Sequence, residues 1–101
     1  MTTVIYREAV KVMRNGRCIG TSDTGDMLRT VTEVYLLGDL ASGTVAIISH
    51  EEEGITGEDY PETYNIAYYG DLRNAYTDPG LSEIDWVEDE DVDDYLSTLG
   101  R

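Results

Sequence analysis

The sequence predicts an α+β fold in which an antiparallel sheet of four to six strands carries one amphipathic C-terminal helix. The sheet is predicted by the β-rich segments RTVTEVYLL and TVAIIS, which flank the turn GDLASG, and by the later run TYNIAYY. The helix is predicted by Val92, Tyr95, Leu96 and Leu99, which are spaced i, i+3, i+4 and i+7. At 101 residues the chain is expected to form a single domain, residues 1–101.

The N-terminal segment VIYREAVKVM is rich in β-branched residues and precedes Asn15-Gly16, the preferred centre of a two-residue hairpin turn. We therefore expect a hairpin whose return strand is Arg17–Gly20. A helix from Ile5 through Ala9 to Met13, ended by Asn15-Gly16, is the alternative, because the same apolar spacing fits one helical face. The hairpin is the favoured interpretation.

The middle of the chain predicts a second hairpin, built from RTVTEVYLL and TVAIIS. The following segment, His50 to Pro61, contains two glycines and five acids and is expected to be a loop. The C-terminal helix should carry Glu88 to Asp91 in its first turn, where carboxylates complement the helix dipole, and should end at Gly100.

Charge is unevenly distributed. The net charge is -14, yet residues 1–30 sum to +2, and residues 51–101 hold sixteen acids against two arginines. Such a field repels phosphates, so direct binding to nucleic acid or to an anionic membrane is excluded.

Other features of the sequence point to a soluble protein. The apolar run Val45 to Ile48 is too short to span a bilayer, and the N-terminus lacks the pattern of a signal peptide, so we expect a soluble, cytoplasmic protein. Cys18 is the one cysteine, which excludes an internal disulfide and favours a small buried side chain.

Two motifs suggest chemistry but lack the residues that it needs. Asp23-Thr24-Gly25 has the letters of an aspartic-protease motif without the apolar strand before it, so a turn in a polar loop is the better interpretation. Asp89, Asp91 and Asp93 have the spacing that opens a calcium loop, but the sixth position is Asp94 where glycine is needed. The sequence predicts no enzyme, no metal site, no cofactor and no small-molecule substrate.

The acidic stretch EIDWVEDEDVDDYL is the strongest candidate for a functional surface. If residues 88–94 are helical, their six carboxylates occupy about 10 Å, or one charge per ~1.7 Å. Duplex DNA presents one charge per ~1.7 Å of its axis. Acids with interleaved tyrosines and Trp86 are also expected to dock on arginine and lysine through salt links and cation-π contacts. A solvated surface, or a general adaptation to salt, is the alternative interpretation.

In size, acidity and lack of catalytic residues the chain resembles the small phage-borne DNA mimics, the anti-restriction and anti-CRISPR inhibitors, through EEEGITGEDYPETY and EIDWVEDEDVDDYL. The resemblance implies a non-enzymatic inhibitor that occupies the nucleic-acid channel of a basic bacterial defence protein or complex, in the host cytoplasm if phage-encoded. The expected phosphate surrogates are Glu83, Asp85, Glu88, Asp89, Glu90, Asp91, Asp93 and Asp94. Glu51, Glu52 and Glu53 form a second expected contact, with Trp86 and Tyr68 or Tyr69 as anchors.

Two other functions remain open from the sequence. The chain could be an immunity protein or antitoxin that neutralises a basic nuclease toxin, which would use the same acidic surface. It could also be an accessory or structural subunit whose acidic face is merely solvated.

Overall fold

The structure, a computed structural model, describes residues 2–25, 28–53, 63–87 and 89–99, apart from the side chains of residues 2, 28, 52, 53 and 63. The strands are β1 (Thr2–Ile5), β2 (Arg17–Thr24), β3 (Leu28–Leu37), β4 (Thr44–Glu53), β5 (Thr63–Tyr69) and β6 (Asp85–Trp86). The helices are α1 (Tyr6–Asn15), α2 (Leu72–Tyr76) and α3 (Glu90–Ser97), and a 3₁₀ turn spans Pro79–Leu81.

The six strands form one antiparallel sheet in the order β1-β5-β4-β3-β2-β6. The predicted α+β class is therefore confirmed. The hairpin of β3 and β4 is confirmed with a ladder that runs from Leu37↔Thr44 to Leu28↔Glu53, and TYNIAYY is strand β5. A glycine with φ +114, Gly38, begins the turn between β3 and β4.

Helices cover both faces of the sheet, and each face has its own core. On the first face, Val34 and Val45 pack with residues of α2 and α3, among them Leu72 and Val92. On the second face, Tyr35, Ala46, Ile48, Tyr64 and Ile66 pack against Ala9 of α1. Alternating side chains of β3 and β4 thus serve opposite cores, which explains why the middle of this hairpin contains the uninterrupted apolar runs Val34–Leu37 and Val45–Ile48.

The predicted N-terminal hairpin is wrong, and the alternative helix is what the structure contains. Strand β1 ends at Ile5, and the same apolar run continues as α1, which buries Ala9 against the second face. Asn15-Gly16 ends this helix instead of turning a hairpin, and Gly16 has φ -110. A Cβ at Gly16 would lie 2.8 Å from Leu37 Cδ2 and 3.0 Å from Tyr35 Cβ, so glycine favours close packing on β3 here and does not serve a left-handed turn.

Two further expectations need correction. Residues His50–Glu53 belong to strand β4 and not to a loop, while residues 54–62 lie outside the described residues. The DTG motif is not confined to a loop, because Asp23 and Thr24 are the last residues of β2, with Gly25 following at φ +102. Asp23 forms a half-exposed ion pair with Arg29, at 3.5 Å between Oδ1 and Nε.

Candidate protein-binding surface

Helix α3 has one buried stripe and one carboxylate-bearing face. Val92 is fully buried and Leu96 nearly so, while Tyr95 and Leu99 pack against the same core at half-buried positions. This confirms the predicted amphipathic helix. Its exposed positions are Ser97 and the four acids Glu90, Asp91, Asp93 and Asp94. We call these four carboxylates the α3 acidic face. The helix ends at Ser97, with Thr98 as its C-cap, and therefore stops before the predicted Gly100.

Asp89 anchors the start of α3 and is used by the fold itself. Its carboxylate caps the helix by accepting a hydrogen bond from the Asp91 N–H at 3.0 Å, and it pairs with Arg17 of β2 at 2.5 Å. The bond from Arg17 holds the pKa of the Asp89 carboxyl below its usual value. Of the predicted phosphate surrogates whose side chains the structure describes, Asp89 is therefore the one with a basic partner already in place.

Strand β6 holds the segment before α3 against the edge of the sheet. Trp86 pairs with Gly20 of β2, and the Val87 N–H donates to the Ile19 carbonyl at 3.0 Å. Gly20 permits this approach, because a Cβ there would lie 2.7 Å from Ile84 Cγ2 and 3.4 Å from Trp86 Cε3. The acidic segment is thus fixed at β6, at the Asp89 cap and along the buried stripe of α3.

The density of charge on the α3 acidic face is close to that expected from the sequence. Four carboxylates in the five residues from Glu90 to Asp94 occupy about 7.5 Å of helix, or one charge per ~1.9 Å. At 100° per residue these side chains fan over roughly half of the helix circumference, so they present a convex ridge instead of a single row. A ridge of this kind fits a concave basic groove better than a flat surface.

Among the remaining predicted acids whose side chains the structure describes, Asp85 and Glu51 lie apart from the α3 acidic face. Glu83 is exposed just before β6, and Asp85 pairs with Thr21 on the opposite face of the sheet from Trp86. Glu51 is exposed and pairs with Thr30, six residues along β3 from the Leu36 that pairs with Arg17. That offset places Glu51 about 20 Å along the sheet from the start of α3. The side chains of Glu52, Glu53 and Glu88 lie outside the described residues.

The predicted aromatic anchors also separate. Trp86 is half-buried against the first core, and its ring meets Tyr76 of α2 edge-on at 5.3 Å between centroids. Tyr69 packs on the same core, while Tyr68 is 57% exposed on the opposite face, where it pairs with Ala46. The side chains of Tyr69 and Trp86 share a face but lie on strands four positions apart in the sheet, or about 19 Å.

The sequence did not indicate that two acids, Asp71 and Asp78, accept the hydrogen bonds that stabilise the segment between β5 and β6. Asp78 accepts hydrogen bonds from the Tyr69 hydroxyl at 2.5 Å and from the Gly80 N–H at 2.8 Å, and Asp71 caps α2 through the Asn74 N–H. The Tyr69 hydroxyl lowers the pKa of Asp78, and the same bond raises the pKa of Tyr69. The Asp78-Pro79-Gly80 sequence, a favourable turn, was the available signal.

The described residues hold no group of three His, Cys, Asp or Glu side chains placed to bind a metal ion. None of the helices in the described part of the chain is long and apolar enough to cross a membrane. In comparisons with protein families, with characterised proteins and with solved structures, nothing matches this chain.

Proposed function

We propose that the protein is a non-enzymatic inhibitor whose α3 acidic face binds the positively charged nucleic-acid-binding surface of a bacterial defence protein, of the anti-restriction or anti-CRISPR type. In this proposal the carboxylates of Glu90, Asp91, Asp93 and Asp94 take the places of backbone phosphates. The inhibitor acts stoichiometrically in the cytoplasm of a prokaryotic cell, without a cofactor.

The observation that supports this proposal best is the fixed position of closely spaced like charges. Glu90 and Asp94 lie at i and i+4, where two negative side chains repel each other and destabilise an isolated helix. Burial of Val92 and Leu96 and the Asp89–Arg17 pair keep the helix in place despite this repulsion. A basic groove would relieve this repulsion on binding, because its arginines and lysines would neutralise the carboxylates as they neutralise phosphates in protein–DNA complexes.

Arginine and lysine side chains in such a groove would meet carboxylates at spacings close to those of the DNA phosphates that they bind. Charge-assisted hydrogen bonds between guanidinium and carboxylate are stronger than neutral ones and are often bidentate. Exposed pairs contribute roughly 0.2–1 kcal/mol each, so the affinity of the complex would depend on several of them acting together and on desolvation at the contact.

The test compares two variants that remove the same charge from different places. E90Q/D94N removes two carboxylates from the α3 acidic face, and E8Q/D39N removes two exposed carboxylates from α1 and from the turn after β3. The wild type and both variants serve as bait in affinity capture from a prokaryotic lysate, followed by mass spectrometry and by measurement of Kd for the captured protein. We expect a basic nucleic-acid-binding protein, bound at least about tenfold more weakly by E90Q/D94N than by E8Q/D39N.

Competition with duplex DNA provides the second half of the test. DNA should displace the inhibitor from the captured protein, and a moderate rise in salt should weaken the complex because its contacts are screened. If E90Q/D94N binds as tightly as E8Q/D39N, or if DNA and inhibitor bind the captured protein together, the DNA-mimic proposal is wrong.

A further inference from the structure

Strand β1 is an edge of the sheet, and its outer side is unpaired among the described residues. Half of the backbone N–H and C=O groups of such a strand point away from the sheet. Edge strands are usually protected against a further strand by features such as a lysine, a proline or a bulge. The sequence of β1, TTVI, has no charge and no proline, and its register with β5 is regular over all four residues. Strand β1 can therefore accept another strand.

The exposed large apolar side chains of the described residues lie around this edge. Ile5 of β1 is 56% exposed, Tyr6 at the start of α1 is 46% exposed, and Tyr68 of the neighbouring strand β5 is 57% exposed. We call β1, the start of α1 and β5 the β1 margin. Apolar side chains grouped on a surface mark a site of protein–protein contact more often than side chains scattered singly.

Charge indicates that the occupant of this edge is a second copy of the chain. Strands β1 and β5 contain no charged residue, and α1 sums to +2, although the whole chain has a net charge of -14. Two copies therefore repel each other less when they meet through the β1 margin than when they meet through α3. The other edge strand, β6, is two residues long, contains Asp85 and follows Glu83, which disfavours pairing of β1 with the β6 of a second copy.

Two copies of β1 can pair antiparallel about a two-fold axis perpendicular to the sheet. Such an axis keeps the first faces of both copies on the same side, so each residue pairs with one from the same face. Val4 packs on the second core, and its neighbours Thr3 and Ile5 therefore lie on the first face. The axis passes either through Val4, with Ile5 opposite Thr3 of the second copy, or through Thr3, with Val4 opposite Thr2.

Helix α1 leaves room for this pairing. It starts at Tyr6 beside β1 and is followed by Gly16, which packs against Tyr35 and Leu37 of β3, so the helix runs over its own sheet and away from the edge. Tyr68 of one copy lies on the second face, two strand positions or about 10 Å from β1 of the other copy. Tyr6 of that other copy is on the same face, so the pairing brings exposed tyrosines of the two copies toward each other.

We propose that the protein forms a symmetric dimer in which β1 of one copy pairs with β1 of the other, so that two six-stranded sheets become one continuous sheet of twelve strands. The α3 acidic faces stay accessible in this dimer, because α3 is anchored to Arg17 of β2, four strand positions from β1. The dimer carries two copies of the surface on which the proposed function depends, but it forms whether or not that function is correct.

Sedimentation equilibrium of the full chain from about 10 μM to 1 mM measures the dimer. We expect a Kd of about 100 μM, because a contact between two four-residue strands is small. A rise in salt from about 50 to 500 mM should strengthen the dimer, since it screens the repulsion between two chains of charge -14. The contact of α3 with a basic target should weaken over the same range, so failure of one proposal is distinguishable from failure of the other.

Two substitutions in β1 should weaken the dimer and leave the monomer folded. T3K places a lysine at an exposed position of the edge. I5T removes an exposed apolar side chain and supplies the hydroxyl that the N-cap of α1 lacks. Each should raise Kd at least about tenfold. S42K adds the same charge as T3K in the exposed turn between β3 and β4 and should leave Kd unchanged. Urea unfolding at about 10 μM, where the chain is monomeric, checks the fold of each variant.

Cysteine substitution in a C18A background locates the axis. T3C should form a disulfide across the dimer if the axis passes through Thr3, and V4C should do so if it passes through Val4, whereas the control S42C should not. The proposal would be overturned by a chain that stays monomeric at about 1 mM, by an unchanged Kd in T3K and I5T, or by cross-linking of T3C and V4C no greater than that of S42C. A dimer that salt weakens would also overturn it, because the contact would then join α1 to the α3 acidic face of the second copy.

Discussion

Replacement of Gly20 with alanine tests how strand β6 and the acidic segment behind it are attached. The new Cβ would lie 2.7 Å from Ile84 Cγ2, whereas carbon atoms in contact prefer about 3.5–4.0 Å. Ile84 is 9% exposed and belongs to the first core, so it has little room in which to retreat. The backbone of β6 must therefore move by roughly 1 Å, which strains its pairing with β2.

The expected loss of stability is that of an overpacked core site, about 1–3 kcal/mol. For a chain of this size, with a urea m value near ~1.5 kcal/mol per molar, the unfolding midpoint should fall by roughly 0.7 to 2 M. Urea is the denaturant to use, because guanidinium chloride would also screen the charges.

The assay combines far-ultraviolet circular dichroism with the emission of Trp86, the one tryptophan of the chain. Because Trp86 pairs directly with Gly20, its emission should shift to the red in G20A before urea is added. G70A is the matched control, since a Cβ at Gly70 meets nothing within 4 Å and its φ is not in the left-handed range. That variant should be unchanged or more stable by about 0.4–1 kcal/mol. An unchanged midpoint and emission in G20A would refute the packing argument.

Three further predictions concern charge. Stability in urea should rise with salt because like charges are screened, and E90Q/D94N, which has already lost two of them, should show a smaller rise. The variant D89N keeps a capping side chain but loses the ion pair with Arg17, which holds the pKa of Asp89 low. The pair stabilises the fold at neutral pH, and this contribution is lost as the pH falls through the pKa of the folded state. The free energies of unfolding of the wild type and D89N should therefore become equal below the ordinary pKa of 3.8. Burial, and then the hydrogen bond that Tyr35 donates to Glu33 at 2.8 Å, raise the pKa of Tyr35. The free energy of unfolding should therefore fall as the pH rises above the ordinary pKa of 10.0, and it should fall less steeply in Y35F. Identical dependence of stability on pH in the two proteins would contradict this prediction.

The elements that the sequence predicted correctly are those with one uninterrupted pattern. Strands β3, β4 and β5 are long enough for their composition to be read, and α3 has a clear helical period. The prediction for the N-terminus was wrong because one apolar run changes from strand to helix between Ile5 and Tyr6 without a turn or capping residue that marks the change. Ile5 sits at the N-cap of α1 without a capping side chain, so the usual mark of a helix start is absent.

Short elements and sheet order were beyond the reach of the sequence. Strand β6 has two residues and α2 has five, too few for any periodicity. The pairing of β1 with β5 joins residues 58 to 64 positions apart, and it depends on how the two cores pack rather than on local composition.

For the candidate site, the composition of the sequence identified the acids but not which of them are exposed and which have a partner within the fold. Exposure of Glu90, Asp91, Asp93 and Asp94 follows from their position opposite Val92 and Leu96, and the sequence shows this spacing. The pair of Asp89 with Arg17 and the direction of Asp85 depend on β2 lying between β3 and β6. The direction of Tyr68 depends on the register of β5 with β4. The basic side chains of α1, Arg7, Lys11 and Arg14, were visible only as the slight positive charge of residues 1–30.

The placement of α1 and α3 on opposite faces of one thin sheet makes the molecule electrically polar. Residues 6–15 carry a net charge of +2, while the α3 acidic face carries -4. In the field of a basic partner this separation produces a torque, which turns α3 forward while the two proteins are still apart. Encounters that begin in the wrong orientation would then be corrected before contact, and association would be faster than for an undirected encounter.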